Sequence, residues 1–404
     1  MKAMGPVPAD FQASADNCLM VGDWRAPDLV AEQGGTPLFA YDKAVITERV
    51  RRFRAAMPDA VKLHYAVKAN PFPDLLQTLA PLVDGFDLAS WKEMTLAQEV
   101  AGRDFPLSFA GPGKPDFAPD GEQAMGVTVN LESEGEFERF VHGGSNRFAV
   151  RVNPPFGLKG SGMKMGGLAS PFGVDHDRVP ALVRRILEAG AEWRGLHVYA
   201  GSQSLSAAAI IESQRATVAL AAEIAEAVGV TPPEVNLGGG FGIPYFAGDD
   251  SLDIVAVGAA LRETLDQRPA ILRDTRFVIE LGRWLVGECG IYLTRVVDRK
   301  VSRGKTFLVV DGGLHHMLAA SGNFGQLLRR NYPVAVAGRF GSEPEEEVSV
   351  VGCLCTPLDI LADEVMLPRA EVGDLIAIFC AGAYGLTASP QAFLSQKAAR
   401  EVVV

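Results

Sequence analysis

The chain has 404 residues, 48% hydrophobic and 22% charged, an ordinary balance for a soluble globular protein and too long for one compact core. Its formal net charge of -11 excludes a body built to grip nucleic acid, and no run of about 18 apolar residues is present to span a membrane. Five scattered cysteines (Cys18, Cys289, Cys353, Cys355, Cys380) read as reduced thiols, and residues 1–12 lack the apolar core of a signal peptide, so a cytoplasmic protein is expected.

After a polar, loosely held start, residues 38–41 read as a short strand. Strand-like runs then fall at 61–67, 83–88, 107–110, 127–131, 148–152, 196–200, 234–237 and 277–281. Helical spacing of Ala, Leu and Glu marks 74–81, 91–102, 133–142, 178–190, 207–229 and 252–267 between them, several ending at Gly. Eight β-rich runs alternating with helices predict an α/β fold, a (β/α)8 TIM-like barrel, with a doubly wound open sheet as the rival. Beyond Gly290 strands dominate, at 291–297, 306–310, 334–336, 348–351 and 375–379, which predicts a C-terminal all-β domain. The expected organisation is an N-terminal segment 1–42 whose strand joins that domain, a barrel at 43–285 and the β domain at 286–404. The connection 153–174 is rich in Gly and carries Lys159 and Lys164; a loop of that length is either functional or a plain surface excursion.

Lys68, in HYAVKANP, follows a strand and so sits at the C-terminal end, where barrel active sites are built. A lysine there can form a Schiff base with an aldehyde cofactor; taken alone it also reads as a solvated loop lysine. The run NLGGGFG follows the seventh candidate strand. Gly238, Gly239 and Gly240 let backbone N–H groups approach a phosphate, though a plain turn is the other reading. Gly282 and Arg283, after the eighth strand, supply another N–H and a guanidinium, and the loops after strands seven and eight are a frequent phosphate site in barrels. Glu280 ends the eighth strand. It reads either as a salt-bridge partner of Arg283 or as a carboxylate that keeps a pyridine nitrogen protonated. His315 and His316 with Cys353 and Cys355 do not make a metal site, because the C-x-C spacing lacks a second pair. The two histidines read as pocket residues or as a buried structural pair.

These residues carry a resemblance. YAVKAN, GFDLAS, HVYAGSQ, GGGFG, ELGR, GCLCTPLD and GAYG together resemble the alanine-racemase-fold decarboxylases that use pyridoxal 5'-phosphate (PLP), the group of diaminopimelate and ornithine decarboxylases. The resemblance implies that Lys68 holds the cofactor as an imine and that Glu280 meets the pyridine nitrogen. Asp87 and Tyr199 are implied at the cofactor, with Ser202, Gly238, Gly239, Gly240, Gly282, Arg283 and Tyr384 about the phosphate. Cys355 is implied as a proton donor brought by a second subunit, hence a homodimer with shared active sites. Glu280 favours a decarboxylase over a racemase, since racemases of this fold place an arginine there; a non-catalytic PLP-binding protein would be marked by loss of Lys68, Cys355 or Glu280, all present.

Two departures bear on substrate. Tyr199 stands where the family has a histidine over the cofactor ring, with His197 two residues earlier. Thr356 follows Cys355 where diaminopimelate and ornithine decarboxylases carry an acid, so a free distal ammonium loses a partner worth roughly 1.5–3 kcal/mol. KMGG, DGGLHHMLA, LCTPLD and GAYGLTASP resemble a narrower subgroup, the decarboxylases of exosortase and polysaccharide-export systems and the glutamyl-carrier-protein decarboxylase. A modified, conjugated or carrier-bound amino acid is the expected substrate, with an acyl carrier protein as a candidate partner and free diaminopimelate as the alternative. His315, His316, Thr356 and Asp359 are the candidate substrate residues.

Overall fold

The structure is a computed structural model that describes residues 1–115, 126–158, 162–164, 166–326 and 328–404, with only the backbone of 163 and 164. A strand β1 (Leu38–Tyr41) and a helix α1 (Lys43–Ala56) lead into eight parallel strands. These are β2 (Val61–Ala66), β3 (Gly85–Leu88), β4 (Leu107–Phe109), β5 (Thr128–Leu131), β6 (Arg147–Asn153), β7 (Glu192–Val198), β8 (Glu234–Asn236) and β9 (Arg276–Leu281). Each pairs in parallel with the next, and β9 returns to β2 in the register Phe277↔Val61 to Leu281↔Tyr65. That last pairing makes the sheet a closed barrel, and the open-sheet rival is excluded.

Parallel neighbours need long crossovers, and helices supply them: α2 (Pro73–Leu79), α3 (Trp91–Ala101), α4 (Glu134–His142), α5 (Val179–Glu188), α6 (Ala207–Val228) and α7 (Ile254–Asp266). Their starts are written in the sequence. Ser90 accepts from the N–H of Glu93 while the Glu93 carboxylate accepts from the N–H of Ala89, and Ser133, Ser206 and Asp253 cap α4, α6 and α7. Gly229 closes α6 at φ 80°.

After β9 the chain builds a second sheet from β10 (Gly290–Ser302), β11 (Lys305–Val310), β12 (Val334–Val336), β13 (Glu346–Val351), β14 (Ile360–Leu367), β15 (Leu375–Ile378) and β16 (Arg400–Val403), in the order β12-β15-β10-β11-β13-β14. The strand β1 pairs antiparallel with β10 and parallel with β16. The start of the chain is not loosely held. Lys2 N–H donates to Glu364 O at 2.7 Å, Leu19 N–H to Ala337 O at 2.7 Å, and the Phe11 ring meets Phe379 edge-on at 5.1 Å. This start also forms a short hairpin, Met20–Val21 with Trp24–Arg25, and a helix, Ala26–Glu32.

Barrel and β domain meet through glycines. A Cβ on Gly382 would lie 1.7 Å from the carbonyl oxygen of Val286, and one on Gly290 would lie 2.3 Å from the nitrogen of Gly382. Backbone has no room to yield there. The variant Gly382→Ala is expected to lose about 2 kcal/mol or more of stability, read as a lower denaturant midpoint at unchanged slope; an unchanged midpoint contradicts the close approach.

Candidate active site

Side chains alternate across a strand, so residues two apart share a face of the sheet. At the C-terminal end of the barrel this brings Asp87 (β3), Arg151 (β6), His197 and Tyr199 (β7 and its exit), Asn236 (β8) and Glu280 (β9) to the interior with Lys68, on the single 3-10 turn Val67–Ala69 after β2. A cavity of about 360 Å³ is lined by Lys68, Asp87, Arg151, His197, Tyr199 and Glu280. It adjoins a smaller one lined by Lys68, Tyr199, Ser202, Gly240, Gly282, Arg283 and Tyr384. Lys68 is exposed to this cavity although protein surrounds it on most sides. Its ammonium lies 5.3 Å from the Tyr199 ring centroid.

The acids take opposite characters. Glu280 is buried, which alone would raise its pKa. His197 Nε2, 3.2 Å from Oε1, outweighs that with Lys68 and Arg151 behind it, so the carboxyl sits far below the ordinary range. Asn236 donates to Oε2 at 3.3 Å. Asp87 is pushed up by burial and by Glu280, against His64, whose Nδ1 lies 3.6 Å from Oδ1. Burial disfavours the Lys68 charge, but Tyr199, Tyr384 and Glu280 more than restore it and the pKa is raised. Arg151 donates to Glu132 Oε1 at 2.8 Å, and Glu132 also accepts from the N–H groups of Gly111 and Gly173 at 2.6 and 2.7 Å. One carboxylate thus fixes both a cavity-lining cation and two loops.

The glycine run after β8 is forced by proximity. Gly238 has φ +68° and Gly240 φ +79°, and a Cβ on Gly239 would fall 1.8 Å from the carbonyl oxygen of Glu280. Asn236 Oδ1 accepts from the N–H of Gly238 at 2.8 Å. Beside the run, Arg283 donates to the Tyr245 hydroxyl at 2.9 Å and stacks 4.7 Å from the Tyr384 ring. Tyr384 belongs to the β domain, yet its N–H donates to Ala69 O at 2.8 Å, and Asn70 Nδ2 donates to Gly382 O at 3.0 Å. The turn carrying Lys68 is therefore tied to the GAYG loop. The connection 153–174 runs against the same region: 163–164 pairs with Gly201–Ser202, and Leu158 N–H donates to Ala200 O at 3.1 Å. Lys159 lies outside the described residues.

The remaining sequence candidates lie in the β domain. Cys355 is exposed, Thr356 half-buried, and neither lines the two cavities at Lys68. Asp359 is buried and accepts from the N–H groups of Leu314 at 2.6 Å and Leu354 at 2.9 Å, locking the His315 loop to the Cys355 loop. His316 is buried with its Nε2 2.8 Å from Lys397 O; a carbonyl only accepts, so Nε2 carries the proton and Nδ1 accepts from the Tyr292 hydroxyl at 3.0 Å. The His315 ring stacks on it at 3.8 Å.

Sequence reading passed over His64, Arg151, Glu132, Asn236 and Tyr245. The signal was alternation: an Arg inside FAVRVN and a His two residues before Ala66 are polar groups at inward positions of otherwise apolar strands.

Comparison with known proteins agrees with this architecture. Residues 43–287 match the family described as pyridoxal-dependent decarboxylase, pyridoxal binding domain, and the chain belongs to that family. It is a PLP-dependent amino-acid decarboxylase, a carboxy-lyase. Among its relatives, the L-glutamyl-[BtrI acyl-carrier protein] decarboxylase of Niallia circulans is 33% identical over 91% of this chain and 88% of that protein. The diaminopimelate decarboxylase of Archaeoglobus fulgidus is 31% identical over 94% of this chain and 90% of that protein. The crystal structure of diaminopimelate decarboxylase from M. jannaschii in complex with L-lysine shares the fold at a TM-score of 0.85 and 24% identity, covering 99% and 94% of the two chains.

The site's chemistry fits PLP. Arg283 sits with Ser202, Gly240 and Gly282 at one end, the ionised Glu280 lies beside Lys68, and the buried oxygens of Asp87 and Nε of Arg283 have no protein partner.

The buried His316 also ties stability to pH. Burial, then His315, lowers its pKa from 6.5 to about 4, so between those values the unfolded chain binds the extra proton. Its contribution is complete above pH 6.5 and is lost as pH falls towards 4, up to about 3 kcal/mol. Denaturant midpoints of His316→Gln are expected to fall less steeply over that interval than wild type; parallel curves contradict the assignment.

Proposed function

We propose that this chain decarboxylates an amino acid whose distal end is conjugated or tethered, with Lys68, Glu280 and Cys355 as the catalytic groups and Tyr199 as the residue against the cofactor ring. Bound PLP supplies an aldehyde for an amine and a ring that draws electrons from the bond to the departing carboxylate. Lys68 offers the amine from the turn after β2. Glu280, kept ionised by His197 with Lys68 and Arg151 behind it, would hold a proton at the ring nitrogen, and Tyr199 would pack against the ring face. Ser202, Gly238, Gly239, Gly240, Gly282, Arg283 and Tyr384 bind the phosphate, and Asp87 lies beside the ring. Carbon dioxide leaves, and Cα takes a proton in its place.

Cys355 delivers that proton across a subunit boundary. Its exposure, its absence from the Lys68 cavities, and exposed Leu358 and Phe324 nearby in the β domain support a homodimer with shared sites. Thr356 supports the tethered substrate. A hydroxyl beside Cys355 suits a neutral amide or thioester, whereas a free ammonium would want a carboxylate. The Niallia circulans relative, named for a carrier-protein-bound glutamyl group, favours the same reading and an acyl carrier protein as partner. The loops holding His315, His316 and Asp359 position the Cys355 segment.

The observation that carries the reading is Glu280, bonded to His197 and Asn236, lining one cavity with Lys68. Lys68→Ala is expected to abolish both turnover and the cofactor's imine absorbance. Product mass spectrometry over free diaminopimelate, ornithine, lysine and glutamate beside glutamyl-carrier protein should show carbon dioxide loss from the tethered substrate alone. Turnover of free diaminopimelate at an ordinary rate, on the order of 10 s⁻¹, contradicts the tethered substrate.

A further inference from the structure

A cavity of about 830 Å³ opens at the opposite, N-terminal end of the barrel, and His64 lines it. His64 is buried on β2 directly below the cofactor site: it pairs in register with Glu280 of β9 and Gly85 of β3. The ring occupies space that Gly85 leaves, for a Cβ there would lie 2.6 Å from Nε2. Its Nδ1 has no hydrogen-bond partner and lies 3.6 Å from Oδ1 of Asp87, whose two oxygens are also unpartnered and which lines the Lys68 cavity. His64 thus stands between two compartments, lining the lower cavity and facing the cofactor-side acid above.

We propose that His64 is a positioning residue that sets the charge of Asp87 beside the cofactor from the N-terminal end of the barrel. The proposal rests on the reading of Asp87 as a cofactor-site residue. The geometry favours an ion pair, since the His64 imidazolium can donate to a carboxylate whose oxygens have no hydrogen-bond partner. Charges facing the ring from its neighbours are Asp87 and Glu280 above and Lys62, Asp84, Glu234 and Arg276 about the lower cavity. Burial opposes protonation of His64, but Asp87 outweighs it, with Glu234 and Glu280 adding, so its pKa is raised. The pair therefore outlasts the pH at which a free imidazole loses its proton and breaks as His64 gives up its own.

Histidine-selective NMR of the PLP-loaded protein follows His64 directly, and the absorbance of bound PLP is recorded over the same pH series. The expected result is a spectral step at the pH where His64 titrates. That step should be lost in His64→Gln and in His64→Phe, which keeps the ring's bulk, and His64→Gln should change nothing further when combined with Asp87→Asn. A step retained in folded His64→Gln and His64→Phe overturns the inference. If Asp87→Asn also leaves the PLP spectrum and PLP affinity untouched, the placement of Asp87 in the cofactor site fails with it; an altered Asp87→Asn with silent His64 variants sinks only the positioning role.

Discussion

The pairing of β9 with β2 is the constraint from which the site follows. Its register sets Glu280 against His64, one turn short of Lys68, and so places an acid and an amine that are far apart in sequence on one cavity wall. An acid so buried would ordinarily take up a proton. His197 prevents this, with Lys68 and Arg151 behind it, and His197 stands paired in register with Asn236, the other residue bonded to the carboxylate, so barrel closure and electrostatics are one arrangement. Shifting any of these strands by one residue would turn its polar groups outward.

The β domain completes what the barrel begins. Tyr384 stacks on Arg283 while its own N–H is bound to Ala69, so the far end of the site is set by a loop of another sheet. Asp359 does the same at longer range, gathering the Leu314 and Leu354 N–H groups and thereby fixing the segment that presents Cys355. Its own binding capacity is spent on backbone, which is what a structural carboxylate in an apolar surround does.

Much of this was legible in the sequence, for physical reasons that differ by element. Each barrel strand overlaps a predicted run because short apolar stretches bounded by helix caps leave little choice; β7 begins earlier than expected because the charged Glu192 and Arg194 obscure its start, with a bulge between Trp193 and Gly195, where a Cβ on Gly195 would strike the carbonyl oxygen of Glu234. Lys68, Glu280 and Arg283 were readable from their place after strands. Asp87 was not readable from composition or spacing and came through the family resemblance. His64, Arg151 and Asn236 carry only the weak signal of a polar residue at an inward strand position, and barrel closure alone reveals what each one faces. The strands β14 and β16 were missed since ILADEVML and REVV mix charge with β-branched residues, and tertiary pairing decided them.

The bonds from Tyr384 to Ala69 and from Asn70 to Gly382 have a consequence for how the protein can be divided. The turn that bears Lys68 is clamped by a loop of the other sheet, so barrel and β domain share one mechanical seam. Cutting the chain after β9 would free that turn and remove a ring from the arginine at the same stroke. The eight-stranded barrel is a recognisable architectural unit, but it is not a detachable one.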